Sequence, residues 1–181
     1  MTSTIVVLAL LALVLWGFYV SWRASRLDRL HNRVEAARTA LDLALVRRGS
    51  AASELASSGL LDPATSLLLA DAVRRARQAT LAERDLAESD LTRALRATLG
   101  EPGFRKELEL DADAGAAELV DELEAAAHQV FIARKFYNDV AGRTLDARRR
   151  PLARVLRLSG SAPPPEFFDM DDALADADSG G

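Results

Sequence analysis

Hydrophobic and polar positions divide the chain into an uncharged N-terminal run, three long segments with helical periodicity and a polar tail. Residues 4–22, TIVVLALLALVLWGFYVSW, contain no charged side chain. A spanning helix needs about 20 consecutive apolar residues, and the aromatic residues near the end of this run are typical of a membrane interface. The pattern therefore predicts a transmembrane anchor within residues 1–22.

A cleaved signal peptide is the alternative for this run. No Lys or Arg precedes it and no A-x-A-like cleavage site follows it, so the usual features of a signal peptide are missing. Basic residues follow the run at Arg23, Arg26, Arg29 and Arg33. Because basic flanks stay on the cytoplasmic side, we expect a single-pass membrane protein with its N-terminus outside and the remainder in the cytoplasm.

Helical periodicity begins at Arg23. Apolar residues recur at steps of three and four positions and predict a seam on one helix face. The seam consists of Leu27, Leu30, Val34, Ala37, Leu41 and Leu45. The stretch SSGLLDPA, residues 57–64, then predicts a helix end and a new start, because Gly59 suits a left-handed C-terminal position and Asp62 with Pro63 suits a helix N-terminus.

Two further helices are predicted, over residues 63–99 and 116–150. The second helix has a stripe at Leu69, Val73, Ala76, Leu86, Leu91 and Leu95, and GEPG ends it. The third has a seam at Leu119, Leu123, Val130, Ala133, Tyr137 and Val140. A short amphipathic helix follows Pro151. The predicted fold is all-α, an antiparallel bundle of three long helices plus a short fourth helix over residues 23–158, behind the anchor.

The last segment, residues 159–181, is rich in Pro, Asp and Gly. Such a composition has too few apolar side chains to form a core. It predicts a disordered acidic tail, in which residues 166–170 are a candidate docking segment.

Composition excludes several classes of protein. The 181 residues include no Cys, which removes disulfides, thiolate zinc sites and cysteine nucleophiles. The net charge of −4 argues against a nucleic-acid surface, which is normally basic. We therefore expect no nucleic-acid partner.

Candidate chemistry is sparse. His31 with Glu35, and Glu124 with His128, are spaced to share a helix face. A di-iron bundle requires two Glu-x-x-His motifs and two further Glu residues, and this spacing is missing. No phosphate-binding loop, nucleophile elbow or zinc-protease motif occurs. We expect no metal, no cofactor and no catalytic residues.

An unusual group of residues lies within IARKFYNDV, residues 132–140. Tyr137 and Asn138 carry polar groups that need hydrogen-bond partners if they are buried. We expect a structural polar contact between this pair and Asp42, Arg47 or Arg48 on the first helix. A ligand or partner site at the pair is the alternative.

A basic run, RRRPLARVLR, spans residues 148–157 and contains five arginines and no acid. Antiparallel packing places it at the membrane-distal end, which argues against lipid binding. Arginines at a helix C-terminus are also favoured by the helix dipole. The alternative is a docking patch for an acidic partner or for the chain's own tail. The candidate partner-binding residues are Arg148, Arg149, Arg150, Arg154, Arg157, Phe167 and Phe168.

Three blocks resemble the LemA family in order along the chain. They are NRVEAARTALDLALVRR (residues 32–48), IARKFYNDV (132–140) and RPLARVLRLSGSAPPPEFFD (150–169). The chain departs from the family pattern at GSAASEL (49–55) and AGRTLDARR (141–149), so it resembles a divergent member. The resemblance implies a helical bundle behind a single membrane span and implies no biochemical activity.

Together these features predict a membrane-anchored, non-enzymatic scaffold that binds other proteins through its bundle, including coiled-coil-like helix faces. The protein partner is expected at the membrane, and homo-oligomers are an open alternative. In that alternative the protein assembles with itself and organises the membrane. A metal-binding or enzymatic bundle that uses the His/Glu pairs is a third hypothesis, with less support.

Overall fold

The computed structural model describes residues 2–101, 104, 114–149 and 163–172, with side chains for all of these except 2, 3, 20, 23–28 and 114. The helices are α1 (Thr2–Ser57), α2 (Pro63–Gln78), α3 (Arg84–Leu99) and α4 (Ala114–Arg149). No strand occurs among the described residues, so the predicted all-helical class is confirmed for them. The short helix predicted after Pro151 lies outside this description.

The α1–α2 connection follows the prediction. Gly59 has a φ of 84°, a left-handed conformation that favours glycine. Asp62 Oδ1 accepts hydrogen bonds from the backbone N–H groups of Ala64 at 2.9 Å and Thr65 at 3.2 Å, and Pro63 occupies the first turn. The sequence therefore located this helix start correctly, because capping chemistry is local.

The single helix predicted over residues 63–99 is wrong. α2 ends at Gln78, Ala79 is extended (ψ 136°), and α3 begins only at Arg84. Thr80 Oγ1 donates a hydrogen bond to Glu83 Oε2 at 2.8 Å, and Glu83 N–H donates to the Thr80 carbonyl at 3.0 Å. Thr-x-x-Glu matches the sequence of a capping box, but Glu83 is itself the N-cap of α3 and its side chain makes no cap hydrogen bond, so Thr80 and Glu83 close the turn between the two helices. α2 and α3 pack against each other as a helical hairpin.

This break changes which apolar residues reach the core. Leu69 and Val73 on α2 and Leu91 and Leu95 on α3 are buried as predicted, whereas Leu86 is 71 % exposed. The predicted stripe assumed an unbroken period of 3.6 residues through residues 79–83. Because a new helix begins at Arg84, the helical periodicity of α2 does not continue into α3, and Leu86 falls on an exposed face.

The chain divides into two compact units. One consists of Met1–Ala37 with Asn138–Phe167, and the other of Arg38–Tyr137 with Phe168–Gly181. The core of the second unit is formed by residues that are at most 8 % exposed. They are Ala51, Ala52, Leu55, Leu69, Ala72, Val73, Ala76, Leu91, Leu95, Leu99, Phe104, Val120 and Leu123.

The start of α1 carries large apolar side chains that are at least half exposed. They are Ile5, Val6, Val7, Leu8, Leu10, Leu11, Leu13, Val14, Leu15, Trp16, Phe18 and Trp22. Within the described part of the chain, no helix offers a stretch of sufficient length and apolar character for a membrane crossing. The predicted span of residues 4–22 therefore stays a prediction from the sequence.

Residues 163–172 belong to the predicted tail. They form no helix, but Met170 is only 5 % exposed, and several neighbours make the hydrogen bonds and ion pairs that are described below. Composition indicated disorder because the segment has few apolar residues. The remainder of the predicted tail, 159–162 and 173–181, lies outside the described residues.

The core predicts a large loss of stability for Leu95→Ala. Leu95 is completely buried in the second unit, so truncation removes apolar contacts and leaves a cavity. We expect the free energy of unfolding to fall by about 2–5 kcal/mol, measured by urea denaturation followed by circular dichroism. Leu68, which is 70 % exposed, provides the control: Leu68→Ala should change stability by less than about 0.5 kcal/mol. Equal losses in the two variants would contradict this description of the core.

The α2 cap predicts a pH-dependent effect for Asp62→Ala. Hydrogen bonds from Thr65, through its side chain and its backbone N–H, hold the pKa of Asp62 below the ordinary value of 3.8. A lowered folded pKa means that the stabilisation is fully present above pH 3.8 and is lost as the pH falls through the lower folded value.

At neutral pH we therefore expect Asp62→Ala to lower the midpoint of thermal unfolding by roughly 2–4 °C. Asp90→Ala is the control, since Asp90 makes an exposed ion pair with Arg93 within α3 and caps no helix. Thermal melts between pH 7 and pH 2.5 should show the difference between wild type and Asp62→Ala shrinking at the acid end. A difference that stays constant with pH would rule out the charged cap as its source.

Candidate functional site

Arg48 of α1 is the most deeply placed charged residue of the described core, with 2 % of its surface exposed. Its Nη1 donates to Thr92 Oγ1 at 2.8 Å, and its Nη2 donates to Glu88 Oε2 at 2.7 Å and to the Glu88 carbonyl at 3.3 Å. Glu88 and Thr92 are one helical turn apart on α3, so both face the same guanidinium. This contact fixes α1 against α3.

Burial sets the electrostatics of this contact. Desolvation lowers the pKa of Arg48, while the charges of Glu88 and Asp172 act in the opposite direction. No described residue accepts a hydrogen bond from the buried Nε of Arg48, and a buried donor left in this way costs about 1–3 kcal/mol. The group is a buried ion pair that specifies how two helices meet.

The neighbouring residues of α1 contact the other helices. Arg47 Nη1 donates to Gln129 Oε1 of α4 at 3.3 Å. Arg77 of α2 donates through Nη2 to the Gly49 carbonyl at 3.3 Å and to Ser50 Oγ at 3.4 Å. Together with the contacts of Arg48 to α3, the four residues 47–50 of α1 thus make polar contacts to α2, α3 and α4.

The polar residues predicted to meet Tyr137 and Asn138 have other partners. Asp42 pairs with Arg84 at 2.9 Å, Arg47 with Gln129, and Arg48 with Glu88 and Thr92. Tyr137 is buried while its neighbour Phe136 is 57 % exposed, as expected for adjacent helical positions about 100° apart. Asn138 is half-buried, and it and Tyr137 each take part in a further noncovalent interaction. Their role as a structural polar contact stays a prediction.

Residues 168–172, which we call the strap, lie along α3. The backbone N–H of Asp169 donates to Asp85 Oδ2 at 3.0 Å, and that of Asp171 donates to Ser89 Oγ at 3.0 Å. Asp169 and Asp171 are two residues apart in the strap, and Asp85 and Ser89 are about one turn apart on α3. Alternate N–H groups of the strap therefore bond to side chains on successive turns of α3.

Two carboxylates strengthen this contact. Asp171 accepts from Arg96 Nη2 through both oxygens, at 2.9 and 2.8 Å. Asp172 Oδ2 accepts from Arg134 Nε at 2.8 Å and Nη2 at 2.5 Å. The side chains of Arg134 and Asp172 are 20 % and 12 % exposed, so this pair is less screened by solvent than the half-exposed Arg96 pair. Sequence reasoning missed Arg96 and Arg134 as partners of the tail.

The predicted partner-binding residues have different environments. Arg148 Nη1 donates to the Pro163 carbonyl at 2.9 Å, and Arg149 is exposed. The Phe167 ring lies over Gly142, where an added Cβ would stand 3.8 Å from it, and Phe168 is half-buried. Arg150, Arg154 and Arg157 lie outside the described residues.

The two histidine pairs lie on exposed helix surface. His31, Glu35, Glu124 and His128 are all exposed. The His128 ring stacks on Phe131 with centroids 6.1 Å apart, and Lys135 Nζ lies 5.3 Å from the Phe131 centroid. Within the described ranges, no three or more His, Cys, Asp or Glu residues are grouped as metal ligands.

An exposed apolar surface lies on α1 and α4 of the second unit. Leu43 and Val46 of α1 are 70 % and 58 % exposed, and Ile132 and Phe136 of α4 are 54 % and 57 % exposed. Leu43 is four positions before Arg47 on α1, and Ile132 is three positions after Gln129 on α4, so each shares a helix face with one end of the bond between Arg47 and Gln129. We call these four apolar residues the α1–α4 face.

No protein-family model matches the chain, and no curated protein matches it.

The Arg48 contact predicts strong coupling between two substitutions. Glu88→Leu leaves a buried guanidinium without its carboxylate, and Arg48→Met leaves the buried carboxylate without its cation. Each should lower the free energy of unfolding by about 3–5 kcal/mol. The double variant removes both charges and should lose less than either single variant, which corresponds to a coupling of more than about 3 kcal/mol in urea titrations.

The exposed pair of Asp90 and Arg93 supplies the matched control cycle on the same helix. Asp90→Leu and Arg93→Met should couple by less than about 1 kcal/mol, because solvent screens exposed pairs. Additive losses at Arg48 and Glu88 would show that the two side chains do not act as a pair.

Proposed function

We propose that this protein is a membrane-anchored, non-enzymatic helical interaction module that binds another protein through the α1–α4 face. The supporting observation is that Leu43, Val46, Ile132 and Phe136 are more than half exposed, whereas the apolar core residues of the same unit are at most 8 % exposed. Clustered exposed apolar side chains are typical of protein-binding surfaces. Aromatic residues such as Phe136 are enriched in interface cores.

The proposed anchor is residues 4–22, in a bacterial cell membrane. Its support is the absence of charge in this run and the exposure of large apolar side chains at the start of α1. Water disfavours such a surface, whereas hydrocarbon accommodates it. The arginines that follow the run favour a cytoplasmic position for the bundle.

Membership of the LemA family is part of this proposal. Its support is the pair of blocks at residues 32–48 and 132–140. Both blocks contribute to the proposed binding surface, since Leu43 and Val46 belong to the first and Ile132 and Phe136 to the second.

The test is purification of the tagged, full-length chain from native membranes in mild detergent, followed by intact-complex mass and identification of retained proteins. We expect a reproducible partner at fixed stoichiometry. Ile132→Ser with Phe136→Ser should reduce its retention by about tenfold or more, because buried aromatic anchors contribute most of the binding energy of an interface.

Leu67 and Leu68 of α2 provide the matched control, since they are 72 % and 70 % exposed and lie outside the α1–α4 face. Replacing both with Ser should leave retention unchanged. A homo-oligomer without another protein would favour the alternative function, self-assembly that organises the membrane. A bare monomer would overturn both.

A further inference from the structure

We propose that the surface beneath the strap is a binding site for an extended acidic segment, and that its second occupant is the strap of another copy of this chain. We define the strap acceptor as Asp85, Ser89, Arg96 and Arg134. The proposal requires neither the α1–α4 face nor the membrane anchor, so it stands or fails separately from the proposed function.

Recognition in this site combines backbone and side-chain groups. Asp85 and Ser89 accept hydrogen bonds from the backbone N–H groups of alternate strap residues, so they recognise the backbone of the segment. Arg96 and Arg134 bind consecutive carboxylates, which reads two adjacent acids. Met170 is buried between these polar contacts and supplies an apolar anchor. The acceptor thus recognises the sequence Asp-Met-Asp-Asp in extended form.

Charge balance disfavours an empty acceptor. When the strap leaves, Arg96 and Arg134 lose their carboxylates. Arg48 also loses the favourable charge of Asp172, although it is buried beside a single carboxylate, that of Glu88. A vacated acceptor therefore favours an acidic segment over water.

A second copy supplies this segment with the same contacts. The described contacts of the strap's aspartates are hydrogen bonds and ion pairs to side chains of α3 and α4, and these contacts do not depend on which chain carries the strap. Every copy has one strap and one acceptor, so two copies can exchange straps reciprocally and close a symmetric dimer. The strap of the same chain competes with this exchange, because it is present at a high effective concentration.

The test uses two full-length variants in detergent, each lacking one half of the contact. The first variant, Arg96→Gln with Arg134→Gln, keeps its strap but lacks the two arginines of the strap acceptor, and we call it the donor variant. The second variant, Asp171→Asn with Asp172→Asn, keeps the strap acceptor but lacks two carboxylates of the strap, and we call it the receiving variant. Neither variant alone should form a complex through strap exchange. The mixture should form a 1:1 complex by intact-complex mass, which a tenfold excess of the peptide PPPEFFDMDD (residues 163–172) should dissociate.

Matched controls use residues beside the contact. The control for the donor variant carries Arg93→Gln instead, because Arg93 bonds to Asp90 within α3. The control for the receiving variant carries Asp169→Asn instead, because Asp169 contacts Asp85 through its backbone N–H. A mixture of these two controls should associate no more than wild type does.

A second measurement keeps the proposal testable if the donor variant fails to fold. The labelled peptide should bind to the Asp171→Asn, Asp172→Asn chain at least tenfold more tightly than to wild type, whose own strap competes. Circular dichroism verifies that the tested chain is folded. If the peptide fails to bind to a folded chain, the proposal is overturned. Peptide binding without any complex between folded full-length chains would overturn a second copy as the occupant.

Discussion

The arrangement of the second unit depends on one buried charge, the guanidinium of Arg48. A cation that is 2 % exposed must have compensating partners, or the folded state loses several kcal/mol. Glu88 and Thr92 provide them from α3, so α3 must turn the face that carries these residues toward α1. The rotation of α3 about its axis is thereby fixed.

This rotation also positions the strap acceptor. With 3.6 residues per turn, Asp85, Ser89 and Arg96 lie on a stripe next to Glu88 and Thr92. The core residues Leu91 and Leu95 lie on the other side of Glu88, and Leu99 falls between Glu88 and Thr92. A single helix therefore contributes to the core, the buried ion pair and the strap contact, and Asp172 joins the last two through its charge on Arg48.

Arginine makes most of the interhelical polar contacts described here. Arg47, Arg48, Arg77 and Arg84 connect α1 to the other helices. The planar guanidinium offers several donors in a fixed geometry and keeps its charge when partly buried. Arginine, which is far more frequent than lysine in this chain, thus supplies the contacts that join α1 to the other helices, while Leu43, Val46, Ile132 and Phe136 stay exposed.

The sequence by itself determined the helical class, the start of α2 at Asp62 and Pro63, and the buried positions of seams such as Leu41, Leu69 and Val130. These features arise from residues within a few positions of one another. Only the tertiary structure decided that the strap contacts α3 and α4 and that Arg48 pairs with α3. The strap lacks apolar periodicity, and its charges are compensated by Arg96 and Arg134, 75 and 38 residues away. A local pattern cannot encode such a contact, because its energy depends on charges that only folding brings together.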